Sequence, residues 1–478
     1  MIQGTGSGVG KSWLCTGICA LLRRQGVDVA PFKAQNMSNN AAPVGDGEIG
    51  RAQAVQAEAC GLPPHVDMNP ILIKPHSATG AQVIVLGKCV GTTEARTYWK
   101  DTATLRETAF AAYDRLAARH ELVVIEGAGS PAEFNLRGRD YVNMPTAAHA
   151  GASVLIAGDI DKGGVFASFL GTWHLCSPDE RARIAGWIIN QFRGDERLLE
   201  PGPSDFAKLS GIPVRGVVPM RRDIVIDRED DPRDLATRRG AIDIAVLRFA
   251  TVANFTDLEL LAATPGVGLR WVATPDELGN PDLLVLPGSK DTLGDLARLR
   301  ANGLDHAIIC AAARHIPVLG LCGGYQMLGR TLHDPTGVAG SRGTVPGLGL
   351  LPVDTVFSVD KRTRSVAGVT QAGWLLPANL PVQGYEIHQG RTVASDTPLV
   401  HFADGPDGAV SGLAAGSYAH GLLDSGSVRQ SLVDSLRVRK GLAPLCGVSL
   451  EDGPAFRSRN YAALADLLES RLDLAGLI

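Results

Sequence analysis

Short apolar runs alternate with helix-like stretches through the first half of the chain, and no other feature restricts the fold as strongly. The apolar runs are rich in Val and Ile, and the stretches between them include the helix-like segments 12–24 and 102–119. Because such alternation places successive strands side by side, it predicts a mostly parallel, doubly wound α/β sheet. The predicted strands are residues 27–33, 82–87, 122–126, 153–159 and 187–190.

A second strand–helix series follows a segment that is dense in charge. This segment, RRDIVIDREDDPRDLATRRG at residues 221–240, contains a proline and is predicted to be a linker. The predicted fold class is therefore α/β, with two doubly wound domains. The predicted divisions are a first domain at 1–221, a linker at 222–240, a second domain at 241–440 and a helical tail at 441–478. The strands of the second series are predicted at 242–249, 269–273, 283–287 and 317–321, and its helices at 292–314, 428–437 and 460–477.

The composition excludes several classes of protein. The 478 residues are 45% hydrophobic and 20% charged, which is typical of a globular protein with more than one domain. A formal charge of −4 gives no basic footprint for nucleic acid, and no apolar run reaches the length of a membrane span. The eight cysteines form no C-x-x-C pair, as expected in a reducing compartment. Without a recognisable signal peptide, the chain is expected to be cytoplasmic, with no nucleic-acid or membrane partner.

The first glycine-rich turn, GTGSGVGKS at residues 4–12, has the composition of a phosphate-binding loop of the Walker A type. In such loops, backbone N–H groups and the start of a helix surround phosphate oxygens. Lys11 would reach the β- and γ-phosphates, and the Ser12 hydroxyl could ligate Mg²⁺. The alternative is a turn with an incidental lysine, but the apolar helix that follows favours nucleotide binding. The residues predicted to bind nucleotide are Gly4, Thr5, Gly8, Gly10, Lys11 and Ser12.

Carboxylates end two further predicted strands. Glu126 follows one apolar run, and Asp159 and Asp161 follow another. Since the carboxyl ends of parallel strands share one edge of a sheet, Glu126 is expected beside the phosphate loop, where it could hold Mg²⁺ directly or through water. The two aspartates could position Mg²⁺ or a carboxylate substrate. Solvated or salt-bridged turns are the alternatives for all three residues.

The second half contains a different strand-to-helix turn, PVLGLCGGYQML at residues 317–328. An apolar strand leads into Cys322, and two glycines and a helix-forming run follow. This is the pattern of a nucleophile elbow, in which a tight turn with small neighbours exposes one side chain. A buried structural cysteine is the alternative, yet the G-x-C-G-G setting favours a catalytic thiol.

A cysteine nucleophile needs a general acid/base, and two of the eleven histidines are the main candidates. His420 lies in GSYAHGL and His388 lies in GYEIHQG. Spacing along the chain does not choose between them, because such partners meet only in the fold. Backbone donors for the oxyanion are expected at Gly288, in LPGSK after another strand, and at Gly323.

Together these motifs resemble the adenosylcobyric acid synthase family. In that family an amidoligase domain with a phosphate loop, similar to dethiobiotin synthetase, precedes a class I glutamine amidotransferase domain. The five residues between Gly4 and Gly10 match the loop spacing of these amidoligases. The strings that carry the resemblance are PFKAQNMSNNA at 31–41, GEIGRAQ at 47–53, IEGAGSPAE at 125–133, GDIDKGGVF at 158–166 and GYEIH at 384–388.

The resemblance implies ATP- and glutamine-dependent amidation of adenosylcobyrinic acid a,c-diamide at its b, d, e and g carboxylates. ATP and Mg²⁺ would serve as cofactors, glutamine and the corrinoid as substrates, and a homo-oligomer is left open. Cys322 and His420 would form the glutaminase pair, in preference to His388. A substrate or phosphate site is expected at Lys33, Gln35, Asn36, Asp159 and Asp161.

One position departs from the class I pattern, and two other functions share part of the motif set. Class I amidotransferases usually carry Glu two residues after the histidine, whereas Leu422 stands there, so the third residue of the site is unassigned. An enzyme that amidates cobyrinic acid at a and c would share both halves, but the string at 32–41 argues against it. A phosphate-loop ATPase switch would share only the first half, and the intact Cys322 elbow argues against that.

Overall fold

The chain folds into two compact units, and neither is continuous in sequence. The computed structural model describes residues 1–75, 80–94, 102–227, 240–340, 342–393, 397–445 and 447–477, so 228–239 of the predicted linker lie outside the described residues. The first unit comprises Met1–Ser38, Ile49–Asp227 and Arg457–Ile478, and the second comprises Asn39–Glu48 and Arg228–Phe456. Within the described ranges, no helix combines the length and apolar character needed to cross a membrane.

Strands and helices alternate over parts of residues 1–227, as the apolar pattern predicts, but residues 29–50 and 71–94 contain consecutive strands. The strands are β1 (Ile2–Gly4), β2 (Val29–Phe32), β3 (Gln35–Met37), β4 (Ala41–Val44), β5 (Gly47–Gly50), β6 (Ile71–Pro75), β7 (Gly80–Val85), β8 (Lys88–Glu94), β9 (Leu122–Ile125), β10 (Val154–Asp159), β11 (Ile184–Phe192) and β12 (Val214–Pro219). The helices are α1 (Lys11–Arg24), α2 (Arg51–Cys60), α3 (Thr102–Ala117), α4 (Met144–His149), α5 (Val165–Leu175), α6 (Pro178–Arg181) and α7 (Gly202–Ser210).

A parallel sheet forms the centre of the first unit. Strands β1, β10, β11 and β12 pair in that order, and β2 pairs with β9, all in parallel. A parallel bridge between Ile2 and Glu126 joins these two groups, so β1 lies between β9 and β10. β1 has only three residues, but all three are buried. The carboxyl ends of β1, β9 and β10 therefore meet at one edge, as the strand-end argument requires.

A second, smaller sheet in this unit corrects one prediction. Strands β3, β6, β7 and β8 pair in that order, and β6, β7 and β8 are antiparallel. The predicted strand 82–87 is β7, which belongs to this antiparallel sheet and not to the parallel one. The physical reason is the tight turn at Leu86 and Gly87, both with positive φ, because so short a connection permits only a hairpin.

The elements of residues 240–477 repeat the alternation and add a long hairpin. The strands are β13 (Ile242–Leu247), β14 (Val252–Ala253), β15 (Val267–Val272), β16 (Leu283–Leu286), β17 (Gly288–Ser289), β18 (Val318–Leu321), β19 (Thr331–Asp334), β20 (Gly343–Pro346), β21 (Asp354–Thr370), β22 (Pro381–Thr392), β23 (Val400–Phe402), β24 (Gly405–Asp407), β25 (Ala409–Ser411) and β26 (Ala414–Ser417). The helices are α8 (Asp257–Ala263), α9 (Pro275–Leu278), α10 (Thr292–Ala301), α11 (Leu304–Ala313), α12 (Gly323–Leu328), α13 (Gly426–Arg439) and α14 (Gly453–Arg471).

The second unit has its own doubly wound sheet. Its strands run in the order β15–β13–β16–β18–β26–β25, and every pair is parallel except β26–β25. Alternate residues of β13 enter separate apolar clusters, Ala245 and Leu247 in one and Ile244 and Val246 in the other. Burial on both faces is what helices on both sides of a parallel sheet produce. The long antiparallel hairpin β21–β22 belongs to a further sheet that the sequence pattern did not predict.

Two predicted helices need correction. The segment 292–314 forms two helices, α10 and α11, because Gly303 adopts a left-handed φ of 77° and starts a new helix. The terminal helix α14 begins earlier than predicted and ends at Arg471. Its Leu464 and Leu468 pack against Gly17 of α1, where a Cβ would lie within 2.6 Å of both leucines. The terminal helix is thus part of the core of the first unit.

Candidate active sites

The phosphate loop joins β1 to α1, and its conformation depends on glycine. Gly8 and Gly10 have φ values of 72° and 90°, which disfavour any other residue. A Cβ on Gly10 would also lie 2.3 Å from Nδ2 of Asn190. Lys11 folds back over the loop, since its Nζ donates to the carbonyl oxygens of Gly6 at 2.8 Å and Gly129 at 3.1 Å. The loop is therefore preformed around a buried lysine.

Two side chains that the sequence analysis did not assign support this loop from the end of β11. Asn190 Nδ2 donates to Val9 O at 2.8 Å, and Gln191 Nε2 donates to Gly8 O at 3.0 Å. The start of the loop is tied to β10, because Thr5 N donates to Ala157 O at 2.9 Å. The sequence contained one indication of this role, because the two residues form a polar pair at the carboxyl end of a buried strand. Their side chains thus hold the carbonyl groups of Gly8 and Val9 in place and fix the shape of the loop.

Glu126 lies beside this loop, as the strand-end argument predicts, and it is almost fully buried. One oxygen, Oε1, accepts hydrogen bonds from Ser12 Oγ and from Lys33 Nζ, each at 2.8 Å. The other, Oε2, accepts from Nε2 of Gln56 at 2.5 Å and of Gln53 at 3.4 Å. Burial raises the pKa of Glu126, but the Lys33 charge and the hydrogen bonds from Lys33, Gln56 and Ser12 outweigh it, so the pKa falls below its ordinary value.

The other residues of the predicted substrate site divide into two groups. Asn36 joins the Glu126 network through Gln53, with Asn36 Nδ2 at 2.9 Å from Gln53 Oε1. Gln35 instead accepts a hydrogen bond from the Tyr141 hydroxyl at 2.7 Å. Lys33 therefore contacts Glu126 directly and Asn36 is linked to it through Gln53, whereas Gln35 contacts Tyr141.

The acidic turn after β10 stands next to the phosphate loop and carries ion pairs. Asp159 is 3.4 Å from Lys162, and Asp161 is 3.1 Å from Arg193. A Cβ on Gly8 would lie 3.7 Å from Lys162 Nζ, which places this lysine beside the loop. The turn is thus salt-bridged in this structure, and its role toward metal or substrate stays a prediction.

In the second unit, Cys322 occupies the strand-to-helix turn between β18 and α12. Its φ and ψ are 49° and −106°, a strained conformation for a residue with a Cβ. The glycines around it are needed for space, since a Cβ on Gly324 would lie 2.0 Å from Leu286 O and one on Gly323 would lie 2.8 Å from Ser289 N. This is the geometry of a nucleophile elbow. The Cys322 thiol donates to Ile387 O at 3.8 Å, so β22 passes beside it.

His420 is buried beside this elbow and faces a carboxylate. Its Nδ1 lies 2.8 Å from Asp257 Oδ2, and its Cε1 would be 3.3 Å from a Cβ on Gly288. Burial lowers the pKa of His420, but the hydrogen bond with Asp257 and the neighbouring charges of Asp257 and Cys322 outweigh it and raise the pKa to about 10. The structure thus brings together Cys322, His420, Gly288 and Gly323, and it adds Asp257, which the sequence analysis missed.

His388, the other candidate, has a different environment. Its Nδ1 faces Gly390 O at 2.7 Å, its ring stacks on Tyr418 with centroids 3.7 Å apart, and its Nε2 is 3.6 Å from Glu386. Burial raises the pKa of Glu386, but the adjacent His388 and the hydrogen bonds from Arg364 outweigh it and hold that pKa at about 2. These contacts place His388 in a buried ionic cluster with Glu386, whereas His420 contacts Asp257 beside the elbow.

Comparisons with known proteins agree with this architecture. Residues 1–231 match the CobQ/CobB/MinD/ParA nucleotide binding domain, and residues 243–428 match the CobB/CobQ-like glutamine amidotransferase domain. Together these two domains define the class of protein. The chain is an ATP-dependent glutamine amidotransferase.

Full-length relatives define the family more narrowly. The cobyric acid synthase of Sorangium cellulosum is 46% identical over 99% of this chain and 97% of its own length. Those of Desulforudis audaxviator and Ruegeria sp. are 46% and 47% identical, each over 100% of this chain and 98% of the relative. The chain belongs to the cobyric acid synthase family. The family resemblance and the two-domain α/β fold expected from the motifs are confirmed.

Proposed function

We propose that this protein converts adenosylcobyrinic acid a,c-diamide to adenosylcobyric acid, using ATP and glutamine to amidate the b, d, e and g carboxylates. The observation that carries the proposal is end-to-end similarity to cobyric acid synthases in a chain that retains both half-sites. One half-site is the phosphate loop with Lys11 and the Lys33–Glu126 pair. The other is the Cys322 elbow with His420.

In the glutaminase half, Cys322 is the nucleophile. Its thiolate attacks the side-chain amide carbon of glutamine, a C–S bond forms, and His420 Nε2 gives a proton to the departing ammonia. Water then cleaves the thioester to glutamate and restores the thiol and the histidine. Backbone N–H groups near Gly288 and Gly323 would stabilise the oxyanion. The two segments lie close together, since a Cβ on Gly323 would lie 2.8 Å from Ser289 N.

In the synthetase half, the carboxylate of the corrinoid must be activated, because a carboxylate is a poor electrophile. Its oxygen attacks the γ-phosphorus of ATP, the bond to the β-phosphate oxygen breaks, and ADP and an acyl phosphate result. Ammonia then attacks the acyl carbon and phosphate leaves, which completes the amide. Lys11, held over the loop, would stabilise charge on the transferred phosphoryl group.

Ser12 and Glu126 fit a magnesium ion bound together with the nucleotide. A hydroxyl oxygen and a carboxylate oxygen side by side are the kinds of ligand that Mg²⁺ takes in proteins. Ser12 Oγ and Glu126 Oε1 are 2.8 Å apart. Among the residues that the structure describes, no group of three or more His, Cys, Asp or Glu side chains is placed to hold a metal. A site of one hydroxyl, one carboxylate and phosphate oxygens is typical of magnesium at a phosphate loop, where the ion neutralises developing charge.

The experiment follows amide formation on two corrinoids. The purified protein is incubated with ATP, Mg²⁺ and glutamine labelled at its amide nitrogen, with either adenosylcobyrinic acid a,c-diamide or cobyrinic acid. We expect up to four labelled amides on the a,c-diamide, with stoichiometric ADP and glutamate, and no label with Lys11→Ala. Labelling of cobyrinic acid alone, at two positions, would instead identify an a,c-diamide synthase. ATP turnover without either corrinoid or glutamine would indicate a switch ATPase.

A further inference from the structure

A buried aspartate that the sequence analysis did not assign contacts the glutaminase histidine. One of its oxygens faces the histidine ring, and the other accepts a hydrogen bond from the backbone of the next residue. Asp257 is the first residue of α8, and its Oδ2 lies 2.8 Å from His420 Nδ1. Its Oδ1 accepts a hydrogen bond from the backbone N–H of Gly421, the next residue. Both side chains of the Asp257–His420 pair are only 1% exposed. One carboxylate therefore fixes the ring of His420 and the backbone beside it.

This contact determines which ring nitrogen can exchange a proton with the thiol. A carboxylate accepts hydrogen bonds and does not donate them, so Nδ1 carries the proton that faces Asp257. Nε2, on the opposite side of the ring, is then the atom left for Cys322 and for the leaving ammonia. A negative charge at 2.8 Å also stabilises the imidazolium that forms when the thiol loses its proton. The ring is flanked by Tyr385, with centroids 5.3 Å apart.

We propose that Asp257 is the third residue of the glutaminase site, a positioning residue that sets the tautomer of His420 and stabilises its imidazolium. The assignment rests on the glutaminase half of the proposed function. It also accounts for the missing glutamate. Leu422, at the position where Glu is usual, is buried in the apolar cluster, so a carboxylate there would lack a polar environment. The acid is supplied instead from a segment that precedes the nucleophile in the chain.

Asp257→Asn gives a specific prediction because the two oxygens have different partners. In this variant the Gly421 N–H would need the amide oxygen of the new side chain, which leaves the NH₂ group facing His420 Nδ1. That arrangement favours the tautomer with the proton on Nε2, which cannot accept a proton from Cys322. Loss of the corresponding acid in a nucleophile–histidine–acid triad lowers the rate by roughly 10⁴-fold. We expect glutamine hydrolysis to fall by roughly 10²- to 10⁴-fold.

The test combines three measurements on the full-length protein: glutamate release from glutamine, ammonia-dependent synthesis, and alkylation of Cys322 by iodoacetamide followed by peptide mass analysis. Alkylation reports the thiolate without needing glutamine or corrinoid, so a wrong corrinoid assignment would not affect it. In Asp257→Asn we expect the alkylation rate at about pH 6 to fall at least tenfold, because the imidazolium that stabilises the thiolate is lost. Ammonia-dependent synthesis should change by less than about twofold, since it needs no glutaminase.

Asp334→Asn is the matched control for loss of a buried carboxylate in the same unit. Asp334 is fully buried, and it accepts backbone N–H groups of Gly337 and Ala339, each at 2.7 Å. This variant should be less stable but should keep the wild-type pH dependence of alkylation. Asp257→Glu retains the charge at a changed distance, so glutamate release should fall about tenfold while alkylation at about pH 6 stays within about threefold.

Two results would overturn the assignment. One is Asp257→Asn with alkylation and glutamate release within about threefold of wild type. The other applies if Asp257→Asn does not fold, because Asp257→Glu then decides alone: wild-type glutamate release in that variant would mean that the placement of the carboxylate does not matter.

Discussion

Glu126→Gln removes the negative charge that four donors share at the nucleotide site. Lys33 and Glu126 are 2.8 Å apart, with side chains 7% and 1% exposed, so the variant breaks a buried ion pair. The NH₂ group of the new glutamine would also replace an oxygen that accepts hydrogen bonds. It would then lie against two donors, either those of Gln53 and Gln56 or those of Ser12 and Lys33. Breaking a buried ion pair by removing one partner costs about 3–5 kcal/mol.

For a unit of this size, about 2–4 °C of melting temperature corresponds to 1 kcal/mol, so the expected fall is roughly 6–20 °C. The assay is thermal unfolding of the variant, of Lys33→Met and of the double variant. The double variant should be more stable than the sum of the single changes predicts, by about 1–3 kcal/mol, because it removes both members of the buried ion pair.

Asp67→Asn is the control, since Asp67 is equally buried but its partners Arg115 and Arg119 are 49% and 46% exposed and can be solvated. The loss of the Asp67 charge should lower the free energy of unfolding clearly less.

The effect of Glu126→Gln should also depend on pH with a definite sign. The pKa of Glu126 is lowered in the folded state, so its contribution is complete above about pH 4.3 and is lost as pH falls through the folded-state value. A melting temperature within about 2 °C of wild type, or single effects that simply add, would refute this reasoning.

The other predictions concern the thiol and the loop. Cys322→Ala should lose glutamine-dependent synthesis by roughly 10⁴-fold or more but keep synthesis from free ammonia at about pH 8, where more ammonia is unprotonated; Cys310→Ala, in α11, should keep both. Loss of the ammonia-dependent rate in folded Cys322→Ala would contradict the division of labour. Gly10→Ala, with φ of 90° and its Cβ 2.3 Å from Asn190, should weaken ATP binding measured by calorimetry. Gly171→Ala, where no atom lies within 4 Å, should bind ATP normally, and equal affinities for the two variants would show that the loop tolerates a side chain.

Sequence pattern predicted the parts of the sites that lie at strand ends. The approach of Glu126 to the phosphate loop follows from parallel pairing, because strands of one sheet end at one edge. The Cys322 elbow was predicted in the same way, from local residues that fix a turn. In both cases the information lies within about ten residues of the site.

The remaining contacts join residues that lie far apart along the chain, and the local hydrophobic pattern does not show which of these residues meet. Asp257 lies 163 residues before His420, and a single acid after a predicted strand gives no sign of its partner. Gln56 meets Glu126 only because α2 packs against the parallel sheet with that face inward. The split between α10 and α11 depended on one left-handed glycine within an otherwise helical segment.

The interleaving of the two units limits how the protein can be divided. The chain passes from one unit to the other after Ser38, Glu48, Asp227 and Phe456. A cut in the charged segment would therefore leave residues 39–48 on the wrong fragment, away from Asn254, whose side chain accepts the N–H of Ala41 at 3.0 Å. Separating the two fragments would also remove α14 from α1 and expose the surface around Gly17. Residues 1–227 and 240–478 produced together as separate chains should consequently be recovered as a complex, and neither should be recovered alone as an independent folding module.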